Sequence, residues 1–198
     1  KIFYRDYGPK DGDPILMVHG LGAQLVHWPI HLINFLQANN FRPITYDNRD
    51  VGLSSRFLNT PSFVIDYVKY FLRLPIKSEY TIDDMASDGI NLLDTLNIKK
   101  THIFSTSMGG MIAQIISAQY PERVKSFTLI ASTASTPSPI NAPKKAVRDI
   151  MMERSKNPNA SHEEILEREI RMVSLIGMDG RIVDTPEFRE ETIRNLDR

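Results

Sequence analysis

The sequence predicts an α/β protein with a mainly parallel sheet, and three observations predict it. Short apolar runs of strand length alternate with amphipathic stretches of helical period from residue 1 to about 132. The order is strand, helix, strand, helix, which sets strands side by side through helical crossovers. The chain of 198 residues is 41% apolar and 24% charged, which suits one globular domain, with room for an insertion and a sizeable core.

The elements follow in chain order. Ile15-Leu16-Met17-Val18 is a continuous apolar run ending at His19-Gly20 and reads as a buried strand. A moderate helical pattern covers His27 to Gln37. Phe41 to Tyr46 is a second strand, closed by Asp47. Ile82, Met85, Ala86, Ile90, Leu93 and Leu96 form one apolar stripe of a helix, and Thr81 with Asp84 offers a capping box before it. Thr101 to Ser105 is a third strand. Met111, Ile112, Ile115 and Ile116 mark a helix that ends near Tyr120-Pro121, and Val124 to Ala131 is a fourth strand. The aromatic stretch Phe63 to Leu74 reads as core or cap packing, or as the lining of an acyl pocket.

Beyond about residue 141 the pattern is charged, methionine-rich and purely helical. Helices are expected over Pro143 to Lys156, from a Ser161 cap with Glu164 to a stop at Gly177, and after Thr185-Pro186. The division expected is 1–135 for the sheet region and 136–198 for a helical segment, either a lid or extra layer helices. Met151, Met152, Met172 and Met178 fill gaps there or lend a lid plasticity.

Composition excludes several functions. Lysine plus arginine and aspartate plus glutamate both total 24, so a neutral chain offers no footprint for nucleic acid or an anionic membrane. No apolar run reaches the roughly 18 residues of a membrane span. With no cysteine, disulfides, thiol catalysis and thiolate metal sites drop out, which suits a reducing compartment such as the cytoplasm. No Walker loop or G-x-G-x-x-G loop is present, so no nucleotide cofactor is expected. His27 and His31 have the i, i+4 spacing of metal ligands but no acidic companion, and read as structural; no metal is expected. Lys1 at the first position is expected of a chain that is processed or cut, or of a sequence with its start missing.

Three motifs lie at strand ends. Ser105-Thr106-Ser107-Met108-Gly109-Gly110 sits between a strand and a helix, the context in which a tight turn aims a serine hydroxyl away from the sheet. Ser107 there is either an exposed nucleophile near the positive helix end or an ordinary cap. As a nucleophile it would have the Met108 N–H beside the developing oxyanion. His19-Gly20-Leu21-Gly22 follows the first buried strand, and its backbone would aim the Leu21 N–H into the same pocket; the His19 ring itself reads as buried and hydrogen-bonded. Asp47-Asn48-Arg49-Asp50-Val51-Gly52-Leu53-Ser54 follows the second strand. It reads as a structural network in which Asp47 and Arg49 bond each other and nearby backbone, with a catalytic role for Asp47 or Asp50 as the lesser alternative.

Together these motifs resemble the α/β-hydrolase family, whose members carry His-Gly-x-Gly, then Asp-x-Arg-x-x-Gly-x-Ser, then a serine elbow, each after a strand. The resemblance covers residues 1 to about 135, and the wording YDNRDVGLSS and SMGGMIAQ is most similar to the carboxylesterase and aclacinomycin-methylesterase-like branch. It implies the α/β-hydrolase fold with a helical cap, a small-molecule ester substrate, no cofactor, Ser107 as nucleophile and the Leu21 and Met108 N–H groups as oxyanion hole. Two departures stand out. Ser105 replaces the first elbow glycine. The family's acid and histidine follow the cap on later strand ends, whereas His162 is the one histidine after Ser107 and opens a cap helix. The expectation is therefore a serine hydrolase whose C-terminal strands, acid and base lie outside this chain, so that a missing C-terminal portion would be its partner. The alternative is a ligand-binding module that keeps the pocket without the chemistry.

Overall fold

The computed structural model describes residues 1–57, 79–134, 144–157, 160–177 and 183–196. Phe63 to Leu74, Pro143 and Met178 lie outside them. The chain forms two compact units, Lys1–Ala134 and Ser135–Arg198.

The first unit is a five-stranded sheet with helices on both faces. Its elements are β1 (Tyr4–Asp6), β2 (Asp13–Val18), α1 (Ile30–Ala38), β3 (Phe41–Tyr46), α2 (Ile82–Thr95), β4 (Thr101–Thr106), α3 (Met108–Gln119) and β5 (Val124–Ile130). The strand order is β1-β3-β2-β4-β5. β3, β2, β4 and β5 are parallel neighbours, and β1 alone runs antiparallel, on the β3 edge. The four parallel strands are the four that apolar runs predict. β1 is additional: three residues are too few to show a period, and an Asp6–Arg42 ion pair at 2.7 Å fastens it to β3.

The two faces of β2 show how the pleat sorts the core. Leu16 and Val18 face one way, packing with Ile44 and Tyr46 against Met85, Ala86, Ile90 and Leu93 of α2 and Ile112, Ala113 and Ile116 of α3. Ile15 and Met17 face the other way, against Trp28 and against Ile33 and Leu36 of α1. A strand buried on both sides must be apolar throughout, and the run at 15–18 is. β5 is the far edge, and Phe127, Leu129 and Ile130 on it are exposed.

Local chemistry sets the helix ends. α2 begins with the expected capping box: the Asp84 N–H donates to Thr81 Oγ1, and the Asp84 carboxylate accepts the Thr81 N–H at 2.7 Å. α1 starts at Ile30 rather than His27, because Leu25–His27 forms a 3-10 turn and Pro29 precedes the first helical residue. α3 starts at Met108, before the apolar stripe that signals it, since its first turn is glycine packed under the sheet.

The second unit contains α4 (Lys145–Lys156), α5 (His162–Ile176) and α6 (Pro186–Leu196). Ser161 and Glu164 form the expected capping box at α5. Arg171 pairs with Glu153 of α4 at 2.6 Å, and Arg189 of α6 reaches Glu167 of α5 at 2.9 Å. Among the described residues of this unit, Ile150, Leu166 and Ile170 are the buried apolar ones. Among the described residues no helix is long and apolar enough to cross a membrane.

Candidate active site

Ser107 occupies the single residue between β4 and α3, with φ 51° and ψ −122°. That is left-handed backbone, which costs a non-glycine residue on the order of 1–3 kcal/mol. The turn is held in place from two sides. The Ser107 N–H donates to the Ile130 carbonyl of β5 at 2.9 Å, and the Ser107 carbonyl accepts the Gly110 N–H at 2.9 Å. Although Ser107 sits at the helix N-cap, its side chain makes no capping hydrogen bond, and the residue is exposed. An ordinary cap would use the hydroxyl on the helix N–H groups; here the hydroxyl is left facing outward.

Small residues make this turn possible. A Cβ on Gly109 would lie 2.2 Å from the Val18 carbonyl oxygen, and one on Gly110 would lie 2.3 Å from Ser132 Oγ. Neither position tolerates a side chain while α3 rests this close to the end of β2 and to Ser132. Ser105, at the remaining small position, is fully buried and donates its hydroxyl to the Thr128 carbonyl at 2.8 Å. The serine in place of glycine is therefore accommodated by a hydrogen bond to the neighbouring strand.

The loop after β2 lies directly against this turn. A Cβ on Gly20 would stand 3.0 Å from Ser107 Cβ and 3.5 Å from Ser107 Oγ. Leu21 follows with its side chain exposed, and Gly22 takes φ 70°. Met108 is the first residue of α3, one of the positions whose N–H has no partner inside the helix. The structure thus brings the 20–22 backbone, Ser107 and the first turn of α3 to one place at the carboxyl ends of β2 and β4.

The loop after β3 is the framework for this arrangement. Asp47 is fully buried, and its carboxylate accepts the Leu25 N–H at 2.7 Å and the Leu53 N–H at 3.0 Å. Asn48 donates to the His19 carbonyl at 3.2 Å. Ser54 donates to the Asp47 carbonyl at 2.6 Å and accepts the Phe3 N–H. Asp50 accepts the Phe57 N–H at 2.6 Å. Arg49 takes a different direction from the one its spacing suggests. It pairs with Asp88 of α2 at 2.8 Å, donates to the Asp84 carbonyl, and lies over the Phe57 and Tyr80 rings. Asp47 and Asp50 are thus engaged by backbone, as a structural network requires.

None of the five histidines hydrogen-bonds the Ser107 hydroxyl among the described residues. The His19 ring stacks on Trp28 at 4.0 Å, and its Nδ1 is 3.5 Å from Thr106 Oγ1. The residue is half-buried rather than buried, and it is less well bonded than expected, since its buried Nε2 has no partner among the described residues. Burial, with the nearby His27 ring second, lowers its pKa to about 3, so the imidazole is neutral. His27 accepts the Gln24 N–H, His31 is exposed, and no group of three His, Cys, Asp or Glu suited to a metal occurs among the described residues. His102 lies near the opposite end of β4, and His162 opens α5 in the second unit. Asn48, which bonds the His19 carbonyl, and Trp28, which stacks on its ring, carry no sequence signal beyond their proximity to the motifs.

A helix-flanked parallel sheet carries a strained serine and a glycine loop at the carboxyl ends of its strands, the place where open α/β sheets hold their ligands. The chain belongs to the α/β-hydrolase fold family, whose model matches residues 13–164. Rhodomycin D methylesterase DauP of Streptomyces sp. (strain C5) is 26% identical to it, over 93% of this chain and 61% of that enzyme. A thermophilic esterase from Thermogutta terrifontis superposes with a TM-score of 0.65 at 22% identity, covering 98% of this chain and 60% of that one. A carboxylesterase of the Thaumarchaeon Nitrososphaera gargenis gives 0.64 at 20% identity, over 98% and 61%. The chain thus spans about three fifths of the length of these relatives.

Proposed function

We propose that this chain carries the nucleophile and oxyanion hole of a serine hydrolase acting on a carboxylic ester. The backbone at Ser107 carries the reading: a strained, exposed serine that does not cap its helix. In this mechanism Ser107 Oγ attacks the ester carbonyl while a general base takes its proton. The N–H groups of Leu21 and Met108 bind the oxyanion, the alcohol leaves, and water then releases the acid from the acyl-enzyme. The Gly20–Ser107 approach supports Leu21 in that role, and the place of Met108 at the first position of α3, where an N–H has no helical partner, supports Met108.

The base and its acid partner come, in this reading, from outside the described residues of the first unit. The helices of 136–198 are the cap segment in this reading, and the methylesterase relatives favour a small alkyl ester as substrate. No cofactor takes part. A serine without its base is a weak nucleophile, so turnover by this chain alone is slow.

Labelling with a fluorophosphonate followed by peptide mapping tests the site. Ser107 is expected to carry the label, and Ser107→Ala to lose it at that peptide. An unlabelled Ser107 in a chain folded by circular dichroism would overturn the reading in favour of a non-catalytic binding module.

A further inference from the structure

The amino-terminal end of the sheet holds a second cluster of reactive groups, far from Ser107. His102 Nδ1 lies 2.7 Å from Ser126 Oγ, and His102 Nε2 lies 3.2 Å from Asp13 Oδ2. The tautomer follows from the partners. A carboxylate only accepts, so Nε2 carries the hydrogen and Nδ1 is left to accept from the Ser126 hydroxyl. Acid, imidazole and hydroxyl are therefore in the order in which an acid orients a base and the base polarises a hydroxyl. Five residues of extended chain separate His102 from Ser107, roughly 16 Å at about 3.3 Å per residue.

The strand register builds this cluster. Thr101 pairs with Val124 but His102 pairs with Ser126, so Lys125 is an extra residue in β5. Such a bulge re-aims side chains, and here both residues around it reach one group: Ser126 bonds His102, and Lys125 pairs with Asp13. Lys125 keeps Asp13 in its carboxylate form, with the carboxyl held below its ordinary value. Ser126 is exposed, so a reagent reaches it without entering a pocket.

We propose that Ser126, His102 and Asp13 form a second nucleophilic site, which takes small activated acyl and phosphonyl compounds. Ser126 Oγ bonds to the electrophilic carbon or phosphorus, and the leaving group departs with its electron pair. The hydroxyl proton passes to His102 Nδ1 and then to water. The Lys125 ammonium, beside the site, favours the negative charge that develops.

The test uses the full chain carrying Ser107→Ala, so that the elbow contributes nothing. A fluorophosphonate is added and modified peptides are mapped against time. Ser126 is expected to label faster than the exposed serines Ser55 and Ser161. His102→Gln in the same background is expected to slow that labelling tenfold or more, and Ser126→Ala to abolish it at that peptide. Circular dichroism shows whether each variant stays folded. Labelling of Ser126 no faster than Ser55, or unchanged in folded His102→Gln, overturns the proposal. Label at Ser107 of the unmutated chain is read separately, so either site can fail alone.

Discussion

His19 is a base that does not act as one. In the unfolded chain its ring titrates near the ordinary value of 6.5, but in the fold only near 3. Between those values the unfolded state binds a proton that the folded state refuses. Stability is thus full above pH 6.5 and falls toward pH 3, by up to about 1.4 kcal/mol per pH unit. An NMR titration is expected to show the His19 ring neutral from pH 7 to 4, and titration near 6.5 would contradict this. Tyr46 gives the opposite kind of test. Its hydroxyl is fully buried against α2 with no hydrogen-bond partner among the described residues. Removing an unpaired buried hydroxyl recovers its desolvation cost, roughly 1–3 kcal/mol less whatever the vacated space forfeits. Tyr46→Phe is therefore expected to hold or raise the thermal midpoint, and a lowered midpoint would reveal a missed partner. The position of Ser107 is legible in the sequence because small residues on either side are the condition for its turn. The direction of Arg49 is not, because its partner Asp88 lies 39 positions away on an element that only the fold brings near.

At the scale of elements, legibility follows length and burial. β2 is apolar for as long as it is buried, so its run stands out, whereas β3 and β4 include buried polar residues and β5 is an exposed edge, and these three are marked by shorter apolar runs of strand length. β1 has two charged residues among its three and is defined by pairing Tyr4 with Tyr46 across the sheet, which no local pattern reports. Helix starts are readable where a side chain does the capping, as at Thr81 and Ser161, and drift where proline or glycine sets the boundary, as at α1 and α3. The Thr81 cap also tests what holds α2 in place. Thr81→Ala removes the acceptor for the Asp84 N–H and is expected to cost about 1 kcal/mol. Urea denaturation measures it, and a loss well above 2 kcal/mol would mean that the cap also anchors the loop before it.

In the molecule as a whole, the two motif loops are one structure. The Asp47 carboxylate joins the segment after β2 to the turn at Leu53, and Asn48 fixes the carbonyl beside Gly20. The segments on which the proposed oxyanion hole is built are therefore positioned by Asp47, a fully buried residue just after a different strand. The sequence shows that these motifs exist and in what order, but their meeting depends on β3 and β4 lying on either side of β2. That strand order also governs how the molecule is made. The Thr101 hydroxyl bonds the Pro14 carbonyl 87 positions earlier, beside the β2–β4 ladder at the centre of the sheet. A chain leaving the ribosome amino-end first must leave one edge of the apolar β2 unpaired until β4 has emerged. Such long-range closure is slow relative to local helix formation. During that interval the newborn chain depends on its surroundings, on chaperones and on dilution, to keep β2 from finding the wrong partner.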